Sequence, residues 1–256
     1  MNLKWKITLL VCTFFLRNNV VNAGSNGHFR IFGGKKTIIE RHPWMVSLQF
    51  PLIGHFCAGS LINKDTVITA AHCLNHPLLK PTSVLLGTAD QSGSGTTVYI
   101  KTYKLHENFS VENADENHVK ANNDIAFIKL EEDVKFSKKI QPIKLPEQDA
   151  KIPKGTSLVV AGWAKTSPDG LTSKVLRDAK VTAASHARLC DSDDKLCAGN
   201  RKSGVCEGDS GGPLELNGTL VGIVSFGEHD CVKSGDPSVY ANVAFFRTWI
   251  KNEAGV

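Results

Sequence analysis

Short apolar or alternating runs, separated by glycine, proline, asparagine and aspartate, dominate the chain from residue 31 onward. Runs of this length that are rich in β-branched residues predict β-strands. We expect strands at 44–50, 67–71, 84–86, 97–105, 125–130, 158–163, 176–181, 220–226 and 239–243. Only residues 244–253 show clear helical spacing, with Phe246, Trp249 and Ile250 on one face. The pattern therefore predicts an all-β fold, a sandwich or a barrel, that ends in one helix.

Polar stretches separate the strand-rich parts of the chain. Glu131–Gly155 has scattered prolines and lysines and is the best candidate for a linker between two domains. A length of 256 residues is compatible with one or two domains. We interpret the two charge runs, Glu131–Asp133 and Asp191–Asp194, as solvated loops.

The first 23 residues have the pattern of a secretory signal. Lys4 and Lys6 give a positive start, Ile7–Leu16 form a mostly apolar run, and Val21–Ala23 offers small residues for cleavage. The alternative, a membrane anchor, needs about 20 apolar residues, which is more than this run provides. We therefore expect a signal peptide at 1–23 and a secreted, extracellular product with no membrane partner.

Composition and charge narrow the function classes. With 41% apolar and 21% charged residues, the chain is typical of a globular protein rather than a disordered, collagen-like or coiled-coil one. The formal charge of +5 falls to +1 without residues 1–30, which hold four basic residues and no acidic one. A nucleic-acid partner is therefore not expected.

Of seven cysteines, Cys12 lies in the signal, and the other six are expected to pair in an oxidising compartment. Six cysteines allow about 15 pairings. Because no Cys/His zinc spacing is present, no metal or cofactor is expected.

Three residues carry the candidate chemistry. Ser210 stands in a glycine-rich turn, His72 follows a predicted strand, and Asp124 stands where a buried strand begins. A serine hydroxyl becomes an effective nucleophile when an imidazole takes its proton. A carboxylate fixes the tautomer of that imidazole, and glycines let backbone N–H groups approach an oxyanion.

The sequence around Ser210 also fits the G-x-S-x-G elbow of α/β-hydrolases. In that fold the acid and the histidine follow the serine, within a sheet wound with helices. Here His229 is the only histidine after Ser210, and helical patterning is nearly absent. The order His72, Asp124, Ser210 is instead that of chymotrypsin-type serine proteases.

From residue 31 to residue 250 the chain resembles the chymotrypsin family of serine proteases. The matching motifs, in the family's order, are Ile31–Gly34 after a basic residue, Thr69–Cys73, Asp124–Leu130, Gly162-Trp163, Leu196–Gly199, Gly208–Leu214, Val224–Gly227 and Val239–Ile250. The resemblance implies two packed six-stranded antiparallel β-barrels with a C-terminal helix. The peptidase domain would span 31–256, with barrels at about 31–135 and about 145–243 and the helix at about 244–253.

The resemblance also assigns roles to individual residues. Ser210 would attack the scissile carbonyl, His72 would act as base and then as acid, and Asp124 would orient His72. The N–H groups of Gly208 and Ser210 would form the oxyanion hole. Ser225 would support Asp124 with its hydroxyl.

Substrate binding would involve two further sets of residues. Ser225, Phe226 and Gly227 would pair with the substrate backbone as an added strand, with Phe226 in place of the usual tryptophan. Gly204 at the floor of the specificity pocket, and Gly227 and Ser238 at its walls, would leave an open pocket. We expect cleavage after large hydrophobic or aromatic residues, with an elastase-like preference for small or medium aliphatic residues as the alternative. Acidic residues at 207, 228 and 230 favour a basic residue somewhere in the substrate.

Activation would follow cleavage after Arg30, which removes a propeptide at 24–30. The freed amino group of Ile31 would then be buried against Asp209. Because a pocket without an aspartate rejects Arg30, a separate trypsin-like protease is expected as the activator.

The expected partners are protein or peptide substrates and protein protease inhibitors, and the enzyme is expected to be a monomer. The short propeptide has no room for a targeting module, which favours general digestion of proteins.

A non-catalytic homologue that acts as a binding cofactor is the alternative from another class. It is disfavoured because His72, Asp124 and Ser210 are all present.

The family pattern pairs the six cysteines as Cys57–Cys73, Cys190–Cys197 and Cys206–Cys231. Asn108 and Asn217 begin glycosylation sequons, and Asn217 also suits a tight hairpin turn. Thr88 stands where the family's optional calcium loop would need a glutamate, so no calcium is expected.

Overall fold

The computed structural model describes residues 34–77, 79–91, 93–113, 119–164, 173–184, 189–200, 204–206, 208–226 and 237–256. The predicted signal peptide and propeptide lie outside these ranges, as do four residues of the predicted site, Arg30, Ile31, Gly227 and Cys231. The acidic residues at 207, 228 and 230, expected near the substrate, also lie outside them. Within the ranges given, no helix has the length and apolar character needed to cross a membrane.

The apolar runs form short strands that pair antiparallel. They are β1 (Lys35–Lys36), β2 (Met45–Phe50), β3 (Gly54–Asn63), β4 (Thr66–Thr69), β5 (Ser83–Leu86), β6 (Thr96–Leu105), β7 (Ser110–Asn113), β8 (Val119–Asn122), β9 (Ala126–Leu130), β10 (Ser157–Gly162), β11 (Arg177–Ala184), β12 (Lys195–Ala198), β13 (Pro213–Leu216), β14 (Thr219–Phe226) and β15 (Ser238–Asn242). Two 3-10 turns, Ile39–Arg41 and Ala71–Cys73, and one α-helix, α1 (Arg247–Ala254), complete the described elements. The helix begins three residues later than predicted because residues 243–246 form a turn.

Six strands of the first half close into a barrel in the order β2-β3-β4-β9-β6-β5. Closure pairs every strand on both sides and leaves no free edge. β4 and β9 are neighbours in this barrel, and Thr69 at the end of β4 lies opposite Ala126 at the start of β9. This register places the residues that follow β4 beside the residues that precede β9.

Six strands of the second half close in the order β11-β10-β13-β14-β15-β12, because β12 pairs again with β11. β1 adds to the outer side of β11, with Lys35 opposite Asp178. Residues 131–156 connect β9 to β10 and so join the two barrels. The predicted fold of two six-stranded antiparallel barrels with a C-terminal helix is therefore confirmed.

Each end of the described chain packs on the barrel that is remote from it in sequence. β1 precedes the first barrel but pairs with β11 of the second. Helix α1 follows the second barrel, yet Phe246 and Ile250 are buried in a core cluster with residues of the first barrel. The ring of Trp249 lies 5.9 Å from that of Phe127 on β9. The two ends of the described chain thus pack across the boundary between the barrels.

A buried polar cluster also joins the barrels. His42 precedes β2 of the first barrel, and its Nδ1 lies 3.1 Å from Glu215 Oε1 on β13. Its Nε2 lies 3.2 Å from Asp178 Oδ2 on β11. Burial lowers the pKa of His42, but the two carboxylates outweigh that effect, so the pKa is raised overall. Since both ring nitrogens face acceptors, the arrangement suits the doubly protonated, cationic imidazolium.

One prediction about the surface is wrong. Glu131–Asp133 is exposed, as expected for a solvated loop. In the run Asp191–Asp194, however, the last residue is buried. Asp194 accepts a hydrogen bond from the N–H of Asn123 and pairs with the buried Lys195. Partners inside the fold, rather than water, therefore satisfy its charge.

Candidate active site

His72 lies in the 3-10 turn that follows β4. Its neighbours Ala71 and Cys73 are buried, while the His72 side chain keeps 30% of its surface exposed. The disulfide Cys57–Cys73 ties this turn to β3. His72 is therefore held in place by its backbone while its ring remains accessible.

Asp124 immediately precedes the start of β9 and is buried, with its side chain only 2% exposed. Its Oδ2 lies 2.7 Å from His72 Nδ1, and its Oδ1 accepts the backbone N–H of His72 at 2.9 Å. The Ser225 hydroxyl, on β14 of the second barrel, donates to the same Oδ2 at 2.5 Å. The carboxylate is thus fixed from both barrels.

The electrostatics of this pair favour its charged form. Burial lowers the pKa of His72, but the adjacent Asp124 carboxylate outweighs that effect, so the pKa is raised overall. Burial raises the pKa of Asp124, yet His72 and the hydrogen bonds from Ser225 and the backbone lower it overall. A proton that binds to His72 Nε2 would therefore be stabilised by the Asp124 carboxylate.

Ser210 lies in the turn that leads into β13 of the second barrel. Its carbonyl accepts the N–H of Ala58 on β3, and the next N–H, from Gly211, donates to Val224 on β14, both at 2.8 Å. A Cβ on Gly211 would lie 2.1 Å from Thr69 Oγ1, so only glycine fits against the end of β4. This contact brings Ser210 to the segment that carries His72.

Gly208 has a φ of +100°, which favours glycine. Its carbonyl oxygen lies 3.0 Å from His55 Nε2, and His55 Nδ1 lies 2.7 Å from Ser47 Oγ. Burial lowers the pKa of His55 to about 4, so its ring is neutral. Among hydrogen bonds between described residues, the N–H groups of Gly208 and Ser210 donate to no acceptor. These two N–H groups are the donors that the sequence predicts for the oxyanion hole.

Asp209 is buried between these two residues. Its carboxylate accepts the N–H of Ala164 at 3.0 Å and that of Cys206 at 3.2 Å. Burial raises its pKa to about 7. No cation pairs with Asp209 among the residues that the structure describes, and its predicted partner, Ile31, lies outside them.

The predicted substrate-binding residues lie on and around β14. The register between β14 and β15 shifts between Val224 and Phe226, which takes Ser225 out of the regular ladder. Gly204 and Ser238, predicted for the specificity pocket, are both buried, and Gly227 is outside the described residues.

The remaining predicted residues are placed as follows. A second disulfide joins Cys190 to Cys197. Cys206 is disulfide-bonded as well, but its expected partner, Cys231, is not among the described residues. Asn108 and Asn217, the two sequon residues, are exposed. The Sγ atoms of Cys57 and Cys73 lie near His72 in a cluster of ligand-type atoms, but their disulfide removes them as metal ligands.

Sequence reasoning missed three residues that support this site. Ser47 and His55 lie at buried positions of β2 and β3. A polar residue within each of these mostly apolar strands was the only sequence feature that could have indicated them. Asp194 was interpreted as part of a solvated run, and no local pattern distinguishes it from Asp193.

Two antiparallel barrels, with a His–Asp pair from one and a serine turn from the other, define the class of chymotrypsin-fold serine proteases. The family model described as Trypsin matches residues 31–250. The chain therefore belongs to the trypsin family of serine proteases, and its activity is that of a serine endopeptidase, a hydrolase that acts on proteins.

Individual relatives agree with this assignment. Trypsin 5G1 of Aedes aegypti is 37% identical over 237 residues, which cover 89% of this chain and 86% of the relative. Trypsin of Sarcophaga bullata is 37% identical over 237 residues, which cover 88% of this chain and 89% of the relative. Among solved structures, human heparin binding protein matches with a TM-score of 0.74 and 28% identity over 87% of this chain and 96% of that one.

Proposed function

We propose that Ser210, His72 and Asp124 are the catalytic residues of this endopeptidase. The observation that carries the proposal is the 2.7 Å contact between His72 Nδ1 and the buried Asp124 carboxylate, beside a serine turn fixed against β3 and β4. The contact commits Nδ1 to Asp124 and leaves Nε2 to exchange a proton with Ser210.

In the proposed reaction His72 takes the hydroxyl proton of Ser210 while the oxygen attacks the scissile carbonyl. The carbonyl carbon becomes tetrahedral and its oxygen gains a negative charge. His72 then gives the proton to the leaving amine, and an acyl-enzyme remains. Water, activated by His72 in the same way, releases the acid product and restores Ser210.

The N–H groups of Gly208 and Ser210 would bind the oxyanion. Such donors are each worth about 3–4 kcal/mol of transition-state stabilisation. The neutral His55 supports this assignment, because its contact with the Gly208 carbonyl orients the peptide group next to the proposed donors.

We further propose cleavage after large hydrophobic or aromatic residues. The support is the lack of a carboxylate at position 204 and the small side chain of Ser238. The relatives bear the name trypsin, which favours Arg or Lys instead, and small or medium aliphatic residues are a third option. Peptide substrates that differ only in the residue before the cut, with Phe, Leu, Ala, Arg or Lys there, separate the three. A preference for Arg or Lys would overturn the proposal.

Secretion and activation belong to the same proposal. The signal pattern at 1–23 would direct export, and cleavage after Arg30 by a trypsin-like protease would free the amine of Ile31. The buried Asp209 supports this step, because a buried carboxylate favours a cationic partner. General digestion of protein substrates, under the control of protein inhibitors, is the role we infer.

Labelling with a fluorophosphonate tests the catalytic assignment. The full chain is cleaved after Arg30 with immobilised trypsin, the trypsin is removed, and the protein is then exposed to the reagent. We expect stoichiometric labelling of the wild type and of the control variant Ser60→Ala, and no labelling of Ser210→Ala or His72→Ala. Labelling of Ser210→Ala would exclude Ser210 as the nucleophile.

A further inference from the structure

The residue before Asp124 forms a corner with an unusual backbone conformation. Asn123 has a φ of +51°, in the left-handed region that few residues other than glycine, asparagine and aspartate adopt. The N–H of Ile125 donates to the Asn123 carbonyl at 2.8 Å, which tightens the corner around Asp124. The direction of the Asp124 side chain therefore depends on how this corner is held.

The second barrel holds the corner through Asp194. Asp194 Oδ2 accepts the N–H of Asn123 at 3.0 Å, across the boundary between the barrels. The backbone of Asp194 is itself fixed, because its carbonyl accepts the N–H of Asn242 at the end of β15 at 2.8 Å. Asp194 itself lies in the turn before β12, and this hydrogen bond ties the turn to β15.

Lys195 completes the support. Its side chain is 2% exposed, and its Nζ lies 3.3 Å from Asp194 Oδ1 and 2.7 Å from Ser192 Oγ. The same Nζ donates to Asn122 Oδ1 at 2.9 Å. Asp194 and Lys195 of the second barrel therefore hydrogen-bond to the two residues that directly precede Asp124. Asp194 bonds Asn123, and Lys195 bonds Asn122.

We infer that Asp194 is a positioning residue, which sets the orientation of the Asp124 carboxylate toward His72 by fixing the Asn123 peptide. This inference rests on the proposed roles of Asp124 and His72. Loss of the Asn123 contact lets the corner relax and moves Asp124 relative to His72 Nδ1. A displacement of about 1 Å at a catalytic group costs up to about 100-fold in rate.

A displaced Asp124 also changes the pH profile. The Asp124 carboxylate is the group that raises the pKa of His72, so the midpoint of the acid limb shifts to lower pH when the contact weakens. Among the described residues, the charged and titratable groups around Asp194 are Lys195, Lys120, Asp191 and His106. Of these, Lys195 is the buried partner, so the test removes its charge together with that of Asp194.

Two matched double variants separate positioning from simple loss of a buried ion pair. Asp194→Asn/Lys195→Met keeps an oxygen acceptor for Asn123 without charge, and Asp194→Leu/Lys195→Met removes that acceptor. Neither leaves an unpaired buried charge, so both are expected to fold. Asp193→Ala, at the exposed neighbouring position, is the control for the loop.

Each activated variant is assayed for kcat, KM and the acid limb of kcat/KM, with thermal unfolding as the check on folding. We expect the Leu/Met variant to lose 10- to 100-fold in kcat with little change in KM and to show an acid limb at lower pH. The Asn/Met variant is expected to stay within about threefold of the wild type in kcat. Equal kcat and equal acid limbs in the two double variants overturn the inference. Residual activity of Ser210→Ala, run in parallel, would instead contradict the proposed function.

Discussion

The Ser225 hydroxyl on the second barrel lies 2.5 Å from Asp124 Oδ2 on the first. Asp124 also receives two hydrogen bonds from His72. Among the described residues, Ser225 is the one that reaches this carboxylate from the second barrel. The first barrel alone places His72 beside Asp124, and the second barrel adds a further hydrogen bond that fixes the carboxylate.

Replacing Ser225 with alanine is expected to lower the free energy of unfolding by about 1.5–3 kcal/mol, because a hydrogen bond to a buried charge is lost. The pKa of Asp124, which this hydrogen bond lowers, would rise. Urea denaturation measures the change. The matched control is Ser60→Ala, since Ser60 is also buried but its hydroxyl has no partner among the described residues. Equal losses in the two variants would contradict a special role for Ser225.

The pH dependence of catalysis follows from His72. A general base must be neutral, so kcat/KM falls as the pH drops through the pKa of His72. Since Asp124 raises that pKa, we expect the midpoint of the acid limb above about 6.5 in the wild type and lower in Asp124→Asn. Initial rates on a peptide substrate between pH 5 and 9, on the order of one point per half unit, measure both midpoints. An unchanged midpoint in Asp124→Asn would show that the carboxylate does not control the imidazole.

His42 predicts a second pH effect, on stability rather than on rate. Its folded-state pKa is raised, so its contribution to stability is complete below the unfolded value of about 6.5 and is lost as the pH rises through the folded value. Thermal unfolding of the wild type and of His42→Gln should differ most at low pH and converge above the folded pKa. A difference that grows with pH would mean that His42 is neutral between Asp178 and Glu215.

Activation can be tested at Ile31. Trypsin treatment of Ile31→Gly should cut after Arg30 but yield little activity, because glycine lacks the apolar side chain that, in the proposed activation, would help to bury the new amine near Asp209. Circular dichroism should show that the fold persists, and an active-site titrant should show few competent sites. Full activity of the cleaved variant would refute the proposed pairing.

The specificity pocket can be tested at Gly204. Gly204→Asp should raise kcat/KM for Arg and Lys substrates by at least about tenfold, because a carboxylate at the pocket floor pairs with their charge. Gly204→Asn adds the same volume without the charge and should not. Peptides that differ only in the residue before the cut measure the ratio. An equal gain in both variants would place Gly204 away from the substrate side chain.

The sequence predicted strands where apolar runs were long or strongly β-branched, as in β2, β4 and β9. It missed β3, because Gly59 and Ser60 interrupt its apolar run, although both are packed against β4. It also missed β12 and β13, which are short and gain their stability from neighbours remote in sequence. Contacts of that kind leave no periodicity in the strand itself.

For the site, the residue types and chain order of His72, Asp124 and Ser210 favour serine-protease chemistry over the α/β-hydrolase alternative, and the roles of the single residues follow from the resemblance to the chymotrypsin family. The burial of Asp194 was not predictable in the same way. An acidic residue in a polar run is usually solvated, and only the packing of one barrel on the other buries it. The contact of Asp194 with Asn123 joins segments that are remote in sequence, so no local pattern marks it, whereas the role of Ser225 follows from the family resemblance.

The two ends of the described chain are exchanged between the barrels, because β1 pairs with the second barrel and α1 packs on the first. A cut within residues 131–156 would leave two fragments, each carrying the segment that completes the other's barrel surface. Such fragments should associate and rebuild the native fold, whereas either fragment alone would expose the surface on which the other's terminal segment packs. We therefore expect the two halves, although separate in sequence, to unfold as one cooperative unit.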